Sequence, residues 1–148
     1  MRAIVVHQYG GPEALRFEEY PDPALGLGEV LVRVASASVN RIDYKRRAGL
    51  TTDFYPLKFP GLIGVDVAGT AVEIGGAVEG FSVGDRVLAM ADDTYAELWV
   101  VRAAALARVP TGLDSIEAAA LPLATTTGNQ LLLATRVEAG VGKILLLP

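Results

Sequence analysis

Glu29-Val30-Leu31-Val32-Arg33-Val34-Ala35-Ser36-Ala37 stands just after Gly26 and Gly28 and puts valine at positions 30, 32 and 34. A period of two is the signature of a strand with one face in a core, and β-branched valine favours that pleated surface. The same logic extends outward. Residues 3–7 form an apolar run that stops at Gly10-Gly11-Pro12, and residues 15–20 one that stops at Pro21-Asp22-Pro23. Strands are expected over Asp66–Ile74, Arg86–Met90 and residues 96–101, with Gly75-Gly76 and Gly84-Asp85 as turn dipeptides. Many short strands divided by glycine turns predict a mainly β fold, a closed or partly open β-barrel.

Two helical stretches interrupt this pattern. Residues 41–48 follow Asn40, a residue type that caps helix N-termini. The second runs from residue 115 to about 135 with an interruption at Pro122, and Asp114 and Glu117 have the spacing of a capping box at its start. Thr125-Thr126-Thr127-Gly128 is poor helix-forming sequence, so a break or a binding turn is expected there.

The chain has 148 residues, 51% of them hydrophobic, which suits one domain with a real core. A net charge of −4 argues against nucleic acid, whose phosphates demand a basic face. With no cysteine and His7 as the single histidine, a four-ligand zinc site is set aside; a carboxylate-only Mg²⁺ or Ca²⁺ site stays open, without EF-hand spacing. No apolar run is long enough for a membrane span, and the N-terminus lacks the layout of a signal peptide, so a cytoplasmic protein is expected. The last residues, Gly142-Lys143-Ile144-Leu145-Leu146-Leu147-Pro148, read as a buried strand. No G-x-G-x-x-G turn follows it, and too few residues remain after Thr127 for a βαβ unit of roughly 30 residues. A dinucleotide-binding domain therefore does not fit in this chain.

Several segments together resemble the medium-chain dehydrogenase/reductase superfamily in its zinc-free quinone oxidoreductase branch. They are Met1-Arg2-Ala3-Ile4-Val5-Val6-His7-Gln8-Tyr9-Gly10-Gly11-Pro12-Glu13, Ala37-Ser38-Val39-Asn40-Arg41-Ile42-Asp43-Tyr44-Lys45, and Phe59-Pro60-Gly61-Leu62-Ile63-Gly64-Val65-Asp66-Val67-Ala68-Gly69-Thr70. Phe81-Ser82-Val83-Gly84-Asp85-Arg86-Val87, Thr94-Tyr95-Ala96-Glu97 and Glu117-Ala118-Ala119-Ala120-Leu121-Pro122 complete the series. Zinc-dependent members of the superfamily carry cysteine near Ser38 and histidine near Val65, and both are missing here.

The resemblance implies a GroES-like, partly open β-barrel over residues 1–148, the catalytic domain that in the family packs against a Rossmann domain with NADPH between the two. It implies hydride transfer from NADPH to a quinone or an activated double bond such as an enone. It also suggests that residues 131–148 are a junction and returning C-terminal strand after loss of the Rossmann domain; truncation inside the first Rossmann strand is the alternative. The isolated chain is then expected to bind no cofactor and to be inactive. A competing expectation is a standalone barrel, natural or engineered, that self-associates through the helix over residues 115–135; half of a split enzyme is a third.

Candidate site residues follow. Asn40 reads as a helix cap from the residues alone; the resemblance adds orientation of a substrate carbonyl or of the nicotinamide amide. Tyr44 is either a donor to a carbonyl oxygen gaining negative charge or an amphipathic residue at the rim. Thr127 aligns with the family's threonine near the nicotinamide, with helix back-bonding as its ordinary use. Structural roles are expected for the rest: Asp43 pairing with Arg46 or Arg47, Asp66 pairing with an arginine, residues 45–47 as a solvated basic face, His7 as an edge residue, and Tyr95 and Trp99 as wall and core.

Overall fold

A computed structural model describes residues 1–135 of the chain. The expected returning strand at residues 144–147 lies outside the described residues, as does all of the expected junction beyond its first five positions. The described part is mainly β with three α-helices. The strands are β1 Arg2–Val6, β2 Leu15–Glu19, β3 Glu29–Ser36, β4 Gly61–Leu62, β5 Asp66–Ile74, β6 Arg86–Met90, β7 Leu98–Arg102 and β8 Ala107–Arg108. The helices are α1 Arg41–Arg47, α2 Ser115–Ala119 and α3 Pro122–Thr135.

The strands form two antiparallel sheets, β2-β1-β4 and β7-β3-β5-β6-β8. They do not close into one barrel. The segment leading into β7 stitches them: Ile4 donates to the Tyr95 carbonyl at 2.8 Å and Glu97 to the Arg2 carbonyl at 3.0 Å. Between β3 and β5 the register shifts at Leu31/Val32 and again at Val34/Ser36. Such bulges sharpen strand twist and bend a sheet around its core. The alternating valines do what their spacing predicts. Val30 and Val32 are buried with Val67, Val87, Ala89, Trp99 and Val101. Burying each such valine contributes about 1.5–3 kcal/mol.

The second helical stretch does divide before Pro122, because proline lacks the N–H that would continue a helix and is accepted in a first turn. The expected break at residues 125–128 is absent: α3 runs straight through. The Thr125 hydroxyl donates to the Leu121 carbonyl at 2.7 Å and approaches that of Pro122 at 3.2 Å, occupying carbonyls of the first turn. Asp114 caps α2, accepting from Glu117 N–H at 2.8 Å while the Glu117 carboxylate accepts from Asp114 N–H at 3.0 Å. The small side chains Ala118 and Ala119 then let α2 settle on Ala68 of β5.

Gly64 has φ +104, and a Cβ there would stand 2.4 Å from both Thr94 Oγ1 and Tyr95 Cδ1. Gly64→Ala is expected to destabilise the chain by about 2–4 kcal/mol, combining left-handed strain with overpacking, as a urea unfolding midpoint will show.

Candidate functional site

Asp66 opens β5 and is 1% exposed. A carboxylate this deep is tolerated only when donors surround it. The expected arginine partner is not there. The Oδ2 atom accepts from Ser38 Oγ at 2.7 Å and from Asn40 Nδ2 at 2.8 Å, and Oδ1 accepts from the Leu123 backbone N–H at 2.8 Å. Neutral donors on three segments replace the salt bridge. One of them is a first-turn N–H of α3, where helix geometry leaves such donors free and favours negative charge.

Because an ionised carboxylate only accepts, the Asn40 amide must turn its nitrogen toward Asp66, and Nδ2 also reaches Ser38 Oγ at 3.0 Å. Asn40 stands at the N-cap position of α1, and its own N–H donates to Asp43 Oδ2 at 2.7 Å. Asn40 thus caps the helix and also has its amide fixed in orientation.

Asp43 is 2% exposed and does not hydrogen-bond Arg46 or Arg47. Its Oδ2 takes the Asn40 N–H and the Tyr95 hydroxyl, the latter at 2.8 Å, while Oδ1 is buried with no partner among the described residues. Burial, reinforced by the Asp66 charge, holds this carboxyl above its ordinary range against the opposing pull of the Asn40 and Tyr95 hydrogen bonds. Tyr95 is driven up as well, first by burial and then by its bond to Asp43, so it stays a donor at any ordinary pH. Sequence reasoning took Tyr95 for a wall residue; the signal that could have found it was its place in Thr94-Tyr95-Ala96-Glu97.

The basic run at residues 45–47 is not one solvated face. Arg47 Nε donates to the Gly10 carbonyl at 3.3 Å, and Arg46 is 5% exposed. His7 is exposed, with Nε2 2.6 Å from Glu18 Oε1. Trp99 is buried and donates to the Asp92 carbonyl at 2.9 Å.

Asn40 and the first turn of α3 therefore meet on Asp66. Tyr44 lies one turn along α1 and is 41% exposed; Thr127 lies one turn along α3 from Leu123 and is also exposed. No side-chain hydrogen bond joins these three candidates to one another. Beside Asp66 an apolar pocket of about 250 Å³ is lined by Ile42, Tyr55, Val65, Met90, Ala91, Asp92 and Leu123. Among the described residues, no three His, Cys, Asp or Glu side chains cluster closely enough to hold a metal ion. No helix of the described residues is long and apolar enough to cross a membrane.

Asp66→Asn must place an amide N–H against one of the three donors. It is expected to cost about 2–4 kcal/mol and to loosen the start of α3, read by urea unfolding and by amide exchange at Leu123. A raised carboxyl pKa means the folded chain holds the Asp43 proton more tightly than the unfolded chain. Its stabilisation is full below the ordinary aspartate value of 3.8 and is lost as pH rises through the higher folded value. In urea titrations from pH 4 upward, the stability difference between wild type and Asp43→Asn should therefore shift in favour of the variant as pH rises.

Comparison with known proteins bears on this geometry. Residues 26–111 match the family described as alcohol dehydrogenase GroES-like domain. The chloroplastic quinone-oxidoreductase of Triphysaria versicolor is 36% identical over 137 residues, covering 89% of this chain and 42% of the relative. The chloroplastic NADPH-dependent alkenal/one oxidoreductase of Arabidopsis thaliana is 36% identical over 153 residues, covering 95% of this chain and 39% of the relative. The structure of Escherichia coli quinone oxidoreductase complexed with NADPH superposes with a TM-score of 0.83 at 29% identity, covering 91% of this chain and 41% of that one. The chain spans about two fifths of the length of these relatives.

Proposed function

The chain belongs to the alcohol dehydrogenase GroES-like domain family, within the medium-chain dehydrogenase/reductase superfamily, and on that premise we propose that it is the substrate-facing portion of an NADPH-dependent reductase of quinones or enones. The observation that carries this reading is the fixed amide of Asn40. Asp66 holds the Nδ2 side, which leaves Oδ1 as the acceptor turned away from the buried carboxylate.

The residues fit a nicotinamide at the edge of the apolar pocket. An acceptor at Asn40 Oδ1 suits a carboxamide N–H. The Thr127 hydroxyl is not spent on its own helix, unlike that of Thr125, so it is open to the same group. The cofactor, when bound, supplies the hydride. The chain's part is to orient and to exclude water. Ile42, Val65, Met90 and Leu123 give an acceptor a dry wall, and the exposed Tyr44 hydroxyl donates to the carbonyl oxygen on which negative charge builds. No metal enters this scheme. Pyrophosphate recognition at a Rossmann turn lies outside these residues, so the chain alone binds NADPH too weakly for turnover.

Ile116, 76% exposed, and Leu133, 70% exposed, favour a second reading, a module that self-associates through α2 and α3. Light scattering showing a monomer at every concentration would count against it.

NADPH titration of the chain, followed by fluorescence, should show no saturation at micromolar concentrations. Joined to the part of the E. coli enzyme that this chain does not cover, it should reduce a quinone, and Asn40→Ala should lower kcat/KM by about 10–100-fold. Micromolar NADPH binding by the chain alone, or full activity of the Asn40 variant, would overturn the proposal.

A further inference from the structure

Among the described residues, Arg46 is a buried cation whose donors lack direct partners. It is 5% exposed, and its Nε and Nη1 atoms are buried without a hydrogen-bond partner. Its guanidinium lies 3.6 Å over the Tyr55 ring, which occupies a flat face and leaves the N–H edge uncommitted. The nearest carboxylate oxygen, Asp92 Oδ1, is 3.9 Å from Nη1, too far for a hydrogen bond. That same oxygen takes the Tyr55 hydroxyl. A desolvated guanidinium with unmet donors is costly, and a structure that keeps one has an acceptor to offer it.

Arg46 lines a pocket of about 450 Å³ together with Tyr20, Tyr55, Lys58, Leu62, Asp92 and others. Tyr55 and Asp92 also line the apolar pocket beside Asp66. The two spaces therefore share one wall, apolar on the Asp66 side and charged on the Arg46 side, where Arg46 and Lys58 face Asp92 and Asp93.

We propose that Arg46 and Lys58 form a subsite for a carboxylate carried by the acceptor, one that enters past Tyr55 and Asp92 while its reducible group lies in the apolar pocket. The planar guanidinium fork matches two carboxylate oxygens, and Lys58 adds an exposed point charge. Asp92 and Asp93 also line this space. Two acidic neighbours disfavour a dianion, which selects a monocarboxylate over a phosphate. Asp92 is the internal competitor: it approaches Arg46 without satisfying it, and a ligand carboxylate takes its place. The assignment rests on the reductase reading for the rest of the acceptor, but the anion site is tested without turnover.

The test is a titration of the ¹⁵N-labelled chain with benzoate, benzamide and inorganic phosphate, following the backbone amides of Tyr55, Leu57 and Lys58 in every variant and, where Arg46 is present, its Nε–Hε resonance. Benzoate should shift them saturably and benzamide should not. Arg46→Met, checked for folding by thermal melt, should weaken benzoate at least about tenfold, the loss of one charge-assisted bond. Asp92→Asn, at a side chain 57% exposed, should tighten benzoate several-fold by removing the competitor. Equal binding of benzamide, tighter binding of phosphate, no saturable benzoate shift, or a benzoate affinity unchanged by either variant would each overturn the subsite. Any of these leaves the reductase reading standing, since that reading falls only with the Asn40 and NADPH experiments.

Discussion

The need to satisfy one buried carboxylate organises the functional end of this fold. Asp66 sits where β5 begins, with water excluded, and draws a hydroxyl from Ser38, an amide from Asn40 and a backbone N–H from Leu123. These donors come from the turn after β3, the cap of α1 and the first turn of α3. If any one withdraws, a desolvated charge is left short of a partner, which is costly enough to hold all three segments in place. The valine core fixes the sheet; Asp66 fixes what is mounted on it.

A second carboxylate stands beside the first, and the two are treated differently. Asp66 has donors on both oxygens, whereas Asp43 has them on one, with Oδ1 buried and bare. Burial consequently dominates Asp43 and raises its pKa, and Tyr95 keeps its proton in answer. Asn40 stands between them, giving its backbone N–H to one and its side-chain amide to the other. The flip of its side-chain amide is decided by Asp66, whose Oδ2 accepts from Nδ2.

The strands were readable from the sequence because their signal is local. Alternation at residues 29–37 and the glycine punctuation place β3, β5 and β6 to within a residue, and Asn40 and Asp114 mark where α1 and α2 start. The site was readable only in part. Asn40, Tyr44 and Thr127 came from motif and resemblance, but their surroundings depend on tertiary contacts that no window of sequence contains. Charge pairing misled: Asp66 and Asp43 were matched with arginines because opposite charges are the simplest partners to imagine. The fold supplies hydroxyls, an amide and a helix N–H instead. Arg46 misled in the opposite direction, since a basic triplet on a short helix looks solvated until the packing of Tyr55 over it is known. The threonine run in α3 shows a third kind of error: propensity is a weak guide, and the helix continues through residues 125–128 with the Thr125 hydroxyl turned back onto the Leu121 carbonyl.

The bond between Asn40 and Asp66 also restricts how this sequence can drift. A donorless side chain at position 40 leaves the carboxylate at 66 one donor short of three, and an apolar side chain at 66 leaves the amide at 40 with only Ser38. Neither change is neutral on its own, although the two together could pack well. The two positions are thus energetically coupled across a gap of 26 residues, so the cost of a change at one depends on the residue at the other. Phe17, which is 56% exposed, lies under the Arg2 guanidinium at 3.8 Å, a surface contact whose loss strands no buried charge.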